Sequence, residues 1–245
     1  FYLGYFAYKS PLFRKFKLSY LKLELEIILK ILKQSLPSCM NMLLIAIGYF
    51  ITQKFVTSYG ASASAAYGIA LRIEQIILLP AIGFSSALLS MVGQNYGAKN
   101  YDRIYEAFVI SLKISIYMMM FGACILFFAG ETIALLFSRD KDVIMITGNY
   151  LFMAAFLCFI YQVIDRSDSV LAGMRKPIVN VIYTFIRLVM LPPFVIYLFS
   201  ENLKYGLNGI WWAIFATNAF GALLIYINMK YLYNNEYKKS LIKIT

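Results

Sequence analysis

The chain has 245 residues, of which 61% are hydrophobic and 14% are charged, and its mean hydropathy is +0.70. A water-soluble domain of this size could not hide so much apolar surface, because a finite core leaves much of the chain facing water. The net charge of +11 does not indicate nucleic-acid binding, because the basic residues lie between apolar runs and not along one face. The absence of histidine and the wide spacing of the three cysteines argue against an enzyme and against a metal or disulfide framework.

The chain begins with an apolar stretch, residues 1–8, whose first residue is Phe1 and not Met. We expect this stretch to be the end of an earlier helix, and the chain to be a fragment of a longer protein. Residues 11–33 carry leucine and isoleucine at helical spacing with Lys and Glu between them, which predicts a basic amphipathic helix on the inner membrane surface. A solvated linker is the alternative, and in either case 1–33 is predicted to precede the membrane domain.

Six segments are apolar enough and long enough to cross a bilayer as helices. Strict alternation of the kind found in membrane β-barrels is absent from the sequence, so the predicted fold is all-α and polytopic. The predicted spans, which together form a lobe over 34–232 followed by a tail over 233–245, are roughly 34–57, 62–95, 104–129, 143–173, 177–199 and 206–230.

The connectors between these spans differ strongly in charge. Those on one side carry fifteen Lys and Arg residues and those on the other carry three. Positively charged loops stay on the cytoplasmic side of a membrane. The sequence therefore predicts a multi-pass plasma-membrane protein with both ends in the cytoplasm.

Charged residues inside the predicted spans are functional candidates, because a charge in the bilayer costs at least about 2.5 kcal/mol. Asp165, Arg166 and Asp168 lie in the fourth span and Arg187 lies in the fifth. Asp165 and Arg187 are equally far from the connecting turn, so an antiparallel helix pair would place them at the same depth. A packing salt bridge is one interpretation, and a cation or proton relay is the other.

Glu74 in the second span is the other acidic candidate, and it could bind a cationic substrate if it faced the interior of the bundle. Arg72 lies two residues earlier and points to another face of the helix. The alternative is that Glu74 extends to the outer interface, as long charged side chains often do. Several amides could line a polar cavity or join helices together, namely Asn41, Gln53, Gln75, Asn218 and Asn228.

Prolines within the predicted spans point to backbone irregularity, which at membrane depth is tolerated only where it is buried in protein or lines a cavity. Pro80 with Gly83 is predicted to interrupt the second span, and Pro192 with Pro193 to break the fifth. Such breaks often flank the substrate path of a transporter. We therefore take these four residues as candidate hinges.

Short motifs in the second predicted span and in the loop after it say more about the relationships of this protein than its composition does. Residues 65–75 read AAYGIALRIEQ, residues 80–87 read PAIGFSSA, and residues 92–100 read VGQNYGAKN, followed by Arg103. This pattern resembles the multidrug and toxic compound extrusion (MATE) transporters, in which the second helix of a six-helix lobe ends in a VGQN-x-GA-x-N loop. The turn over 171–177, LAGMRKP, is similar to the G-x-G-K-x-P turn of that family, with Arg175 in place of the usual second glycine. The resemblance covers essentially the whole chain.

The resemblance implies twelve helices in two lobes around a central cavity, and exchange of Na⁺ or H⁺ for small organic cations by alternating access. This chain then resembles the C-terminal lobe, with an N-terminal six-helix lobe as its partner and no cofactor beyond the coupling ion. Carboxylate positions of one branch of the family fall here on Ile45 and Tyr161, so we expect the coupling site in the other lobe, or on Glu74, Asp165 and Asp168. A related flippase for lipid-linked sugars, and a nontransporting membrane scaffold or channel, are the alternative functions.

Overall fold

The computed structural model describes Lys9 and residues 24–242, so the predicted earlier helix over 1–8 and most of the predicted linker lie outside the described residues. Six long helices account for nearly all of 24–242, and no strand occurs in that range. The helices are α1 (Leu25–Thr57), α2 (Ala61–Gly97), α3 (Tyr101–Ala134), α4 (Lys141–Gly173), α5 (Pro177–Asn202) and α6 (Gly206–Ile242). All six are long and apolar enough to cross a membrane, which confirms the predicted fold class.

The chain divides into two compact units between Leu36 and Pro37. In the first unit, the described residues 25–36 form the beginning of α1, which starts earlier than the predicted first span. An exposed ion pair between Lys30 and Glu26, with 2.6 Å between Nζ and Oε1, lies there one helical turn apart. The second unit, 37–245, contains the other five helices and the remainder of α1.

The two helices that contain the candidate hinge prolines differ in the regularity of their backbone. Helix α2 runs without interruption through Pro80 and Gly83. Helix α5 passes through Pro192 and Pro193 in an α-helical segment, Leu191–Tyr197. Two wider π-helical segments, Ile186–Met190 and Leu198–Asn202, flank this segment. The predicted interruption of the second span is therefore wrong, whereas the fifth span is irregular on both sides of its prolines, where α-helix changes to π-helix. The hinge role of these four residues stays a prediction.

Helix α4 is the central element of the second unit, since it packs against α2, α3 and α6 and is the most buried of the six candidate spans. One hydrophobic core surrounds its first half, including Tyr150 and Leu157. A second core surrounds its last turns, including Leu171. The end of the bundle that carries the turns α2–α3 and α4–α5 is called the basic end here, after its residues Lys99, Arg103, Arg175 and Lys176.

The turn after α4 requires a left-handed residue. The Arg175 N–H donates to the Ala172 carbonyl at 3.0 Å and the Lys176 N–H donates to the Leu171 carbonyl at 2.9 Å. This is the pattern of a Schellman cap, whose left-handed position is usually glycine. Arg175 occupies that position with φ of 61°. The backbone thus explains why the related turn carries glycine where this chain has arginine.

Replacing Arg175 by glycine is expected to raise the free energy of unfolding by about 1 kcal/mol, because an L side chain is strained in the left-handed region. Thermal unfolding of the detergent-solubilised protein would measure the gain. Arg175→Ala is the matched control, since it removes the charge and keeps the Cβ atom. An equal gain in both variants would contradict a backbone origin.

Candidate functional site

A cavity of about 160 Å³ lies among α1, α2, α4, α5 and α6. Each of these helices contributes polar side chains to it. The polar lining residues are Tyr49 and Thr52 of α1, Tyr67 of α2, Tyr150, Tyr161 and Asp165 of α4, Arg187 of α5, and Thr217 and Asn218 of α6. The cavity therefore combines one carboxyl group, one guanidinium group and several phenol rings within the predicted membrane region.

Asp165 and Arg187 both line the cavity, in agreement with the equal depth predicted for them. They do not form the salt bridge that was one interpretation of this pair. Within residues 24–242, no ion pair joins these two side chains. Arg187 Nη1 instead donates to Asn218 Oδ1 at 2.6 Å, and the Asn218 amide is oriented by its own bond to the Ile214 carbonyl at 2.7 Å. The Arg187 guanidinium is thus bound to α6. The Asp165 carboxylate makes no salt bridge in the described part of the chain, although the charges of Arg166 and Arg187 both act on it from a longer distance.

Gly221 makes this position of Arg187 possible. A Cβ atom at Gly221 would lie 2.5 Å from Arg187 Cδ, which is closer than two carbon atoms can approach. The aliphatic part of the arginine therefore packs directly on the α6 backbone. Asn218 and Gly221 lie three residues apart, so they share one face of α6 and together hold the side chain.

Glu74 points into the bundle and not to the membrane surface. It is only 4% exposed, whereas Arg72 is exposed. The Tyr150 hydroxyl donates to Glu74 Oε2 at 2.7 Å, and Tyr161 also interacts with this carboxyl group. The alternative in which Glu74 extends to the outer interface is therefore wrong. Glu74 does not line the cavity itself; it lies behind two tyrosines that do.

Aromatic contacts fix the tyrosines of the cavity wall. Tyr67 stacks on Trp211 with 5.6 Å between ring centroids and meets Tyr150 edge to face at 5.5 Å. Tyr150 in turn meets Trp211 edge to face at 5.0 Å. Aromatic pairs prefer these arrangements, and the faces of phenol rings attract cations. These contacts hold the rings of Tyr67 and Tyr150 in fixed positions in the cavity wall.

Arg166 has a different role from its neighbour Asp165. Its side chain is completely buried between α2, α3 and α4. Nη2 donates to the Ala81 carbonyl and to the Ser85 hydroxyl at 2.8 Å each, and Nη1 donates to the Ser115 hydroxyl at 3.0 Å. We call this group of contacts the Arg166 clamp. It secures α2 just after Pro80 and lies outside the cavity lining.

The remaining candidates divide between the cavity and other places. Tyr161 and Pro192 line the cavity. Gln53 donates to Ser64 at 2.7 Å and so joins α1 to α2. The candidates that do not line the cavity are Asn41, Gln53, Asp168, Pro80, Gly83 and Pro193. The structure places these side chains, and their roles in binding or movement stay predictions.

Tyr49, Thr52, Tyr67, Tyr150 and Thr217 belong to the cavity although the sequence reasoning did not select them. The residues of α4 could have been predicted from their spacing, because Tyr150 and Tyr161 are about three helical turns apart and Asp165 follows one turn later. The sequence therefore places Tyr150, Tyr161 and Asp165 on one face of α4. The residues of α1, α2 and α6 depend on how these helices rotate against α4, which their spacing does not reveal.

A family model described as MatE matches residues 37–198. A probable multidrug resistance protein of Bacillus subtilis, YoeA, is 24% identical over 222 residues, which cover 89% of this chain and 47% of that protein. The multidrug export protein MepA of Staphylococcus saprophyticus is 24% identical over 91% of this chain and 48% of its own length. The chain thus spans about half the length of these curated relatives.

Solved structures show the same fold. A MOP superfamily transporter from Pyrococcus furiosus matches with a TM-score of 0.87 and 20% identity, over 95% of this chain and 53% of that one. A multidrug resistance MATE family transporter in its outward-facing conformation matches with a TM-score of 0.87 and 20% identity, over 96% of this chain and 54% of that one. At this level of identity the likeness establishes the arrangement of helices alone.

Proposed function

The chain belongs to the MatE family, and from this premise we propose that it forms the C-terminal lobe of a two-lobe secondary transporter. The transporter exports organic cations in exchange for Na⁺ or H⁺ by alternating access, and the lobe performs no catalysis. The length of the relatives, about twice that of this chain, supports a second lobe. We infer that the basic end faces the cytoplasm, because loops rich in Lys and Arg stay on that side.

The observation that carries the proposal is the Asp165 carboxylate, which makes no salt bridge among the described residues, in a cavity walled by tyrosines. A carboxylate without an ion-pair partner favours a cationic ligand, and phenol faces add cation–π attraction when water is excluded. Arg187 donates to Asn218 at 2.6 Å, so its guanidinium does not contact the Asp165 carboxylate directly. Glu74 adds a second negative charge behind the wall.

Asp165→Asn is expected to reduce efflux of a fluorescent organic cation by about tenfold or more, the loss typical when a ligating group or its support is removed. The measurement is efflux from proteoliposomes that contain the two-lobe protein, driven by an imposed Na⁺ or H⁺ gradient. Asp102→Asn, at an exposed carboxylate in the first turn of α3, is the matched control. Unchanged efflux in Asp165→Asn would contradict the assignment of this residue.

An anionic cargo is the second candidate, and the presence of Arg187 in the cavity favours it. One relative, an FAD transporter of Shewanella oneidensis, is 28% identical over 131 residues, although these cover only 53% of this chain and 29% of that protein. A lipid-linked sugar carries the same kind of negative charge. Transport of anionic but not of cationic probes would favour this function, and gradient-independent flux that never saturates would favour a channel.

A further inference from the structure

A groove of about 680 Å³ lies between α1 and α5. It includes the last turns of both helices, so it is at the end of the bundle opposite the basic end. The lining residues that carry polar groups are Lys54, Ser58, Tyr59, Tyr197, Ser200 and Glu201. None of them lines the cavity that contains Asp165, so the groove is a separate feature of the lobe.

The groove is charged at its outer end and apolar below it. Lys54 and Glu201 lie in the last turns of α1 and α5, and both are exposed. Phe50 and Pro193 line the groove about two turns deeper. A phospholipid has the same order of groups, because its headgroup lies at the membrane surface and its chains lie in the hydrocarbon core.

The two charged side chains of the groove are opposite in sign and do not neutralise each other directly. Within residues 24–242, no salt bridge joins Lys54 to Glu201. A ligand with a single charge would be attracted by one of them and repelled by the other. A ligand with one negative and one positive group can be attracted by both, so the groove favours a zwitterion over an anion or a cation.

Two tyrosines line the same groove. Tyr59 follows the end of α1, and Tyr197 lies about one turn before Glu201 on α5. Aromatic side chains are enriched where a membrane protein meets the headgroup layer. The faces of phenol rings attract ammonium groups. These rings therefore add attraction for the positive group of a ligand on the side of the groove where Glu201 lies.

We propose that this groove binds phosphatidylethanolamine from the leaflet opposite the basic end. The phosphate lies beside Lys54, the primary ammonium lies beside Glu201, and an acyl chain lies over Phe50 and Pro193. The ammonium donates charge-assisted hydrogen bonds to the carboxylate, which are stronger than those between neutral groups. The lipid bridges α1 and α5, and its binding does not depend on which cargo or coupling ion the transporter uses.

The test is native mass spectrometry of the two-lobe protein in detergent, titrated with phosphatidylethanolamine and with phosphatidylglycerol of identical acyl chains. The wild type should bind phosphatidylethanolamine about fivefold more tightly, which is the effect of one charge at a membrane surface. Lys54→Gln and Glu201→Gln should each weaken its binding by about the same factor. Lys141→Gln and Asp142→Asn, at exposed residues in the first turn of α4 at the same end of the bundle, are the matched controls and should change nothing.

Glu201→Lys should reverse the preference, so that phosphatidylglycerol binds more tightly than phosphatidylethanolamine. A variant that merely folds poorly would lose affinity for both lipids and would not gain affinity for one. Equal binding of phosphatidylethanolamine in wild type, Lys54→Gln and Glu201→Gln would overturn the site, and this result is also expected if the second lobe covers the groove. A wild type that binds both lipids equally would overturn it as well.

Discussion

Glu74→Gln is expected to reduce gradient-driven efflux of an organic cation by roughly 10- to 100-fold, the range found when a group that supports an ion-binding site is removed. Glu74 is buried, and its carboxyl group accepts a hydrogen bond from Tyr150 at 2.7 Å. The substitution keeps the size of the side chain and removes the negative charge behind the tyrosine wall. A cation in the cavity then loses an attraction that the low dielectric of the interior makes strong.

The same efflux assay distinguishes charge from packing. Glu106→Gln is the matched control, because Glu106 is an exposed carboxylate of α3. Tyr150→Phe removes the hydroxyl that donates to Glu74 and keeps the ring, so it should reduce efflux less than Glu74→Gln does. Equal efflux in wild type and Glu74→Gln would show that this carboxyl group is a packing element.

Gly209→Val is expected to lower the free energy of unfolding by about 3 kcal/mol, the upper part of the usual range for overpacking. A Cβ atom at Gly209 on α6 would lie 2.6 Å from the Phe199 carbonyl oxygen and 2.8 Å from the Ser200 nitrogen of α5. These are backbone atoms, so no rotation of a side chain can relieve the contact. The two helices would have to separate where α5 is π-helical.

Thermal unfolding in detergent measures this loss of stability. Gly68→Ala provides the comparison, because a Cβ atom at Gly68 of α2 meets nothing within 4 Å. It should raise stability by up to about 1 kcal/mol, since alanine favours a helix interior over glycine. A Gly209→Val variant that unfolds at the temperature of the wild type would contradict the close approach of α5 and α6.

The helices and much of the polar interior were predictable from sequence, and the partners of the polar groups were not. Hydropathy over about 20 residues identifies a span, and the helical rise places Asp165 level with Arg187. Asp165 and Arg187 do not form a salt bridge, because α6 supplies Asn218 as the acceptor for Arg187, and the absence of a side chain at Gly221 leaves space for the arginine. Those two residues matter only through the rotation of α6 against α5, which hydropathy does not encode.

Pro80 shows the reverse case, in which the sequence predicts an interruption of α2 that the structure does not contain. Proline removes one hydrogen bond of a helix, and in water this usually kinks or ends the helix. Helix α2 continues past Pro80, which is exposed on the surface of the described bundle, because a bilayer offers no water to hydrogen-bond an unwound backbone. The sequence identifies the position at which α2 lacks a backbone hydrogen bond, and the environment of the helix determines that the helix continues.

The Arg166 clamp has a consequence for how this lobe can move. Bending α2 at Pro80 would pull the Ala81 carbonyl away from a guanidinium that has no access to water, and a buried cation that loses partners is strongly unfavourable. Helices α2, α3 and α4 are therefore expected to travel as one piece. Residues 37–57 of α1 pack far less against the other described helices, so a movement of these residues breaks the fewest contacts. The contacts of Arg166 therefore predict that α2, α3 and α4 stay together when the lobe rearranges, and that residues 37–57 of α1 move most easily.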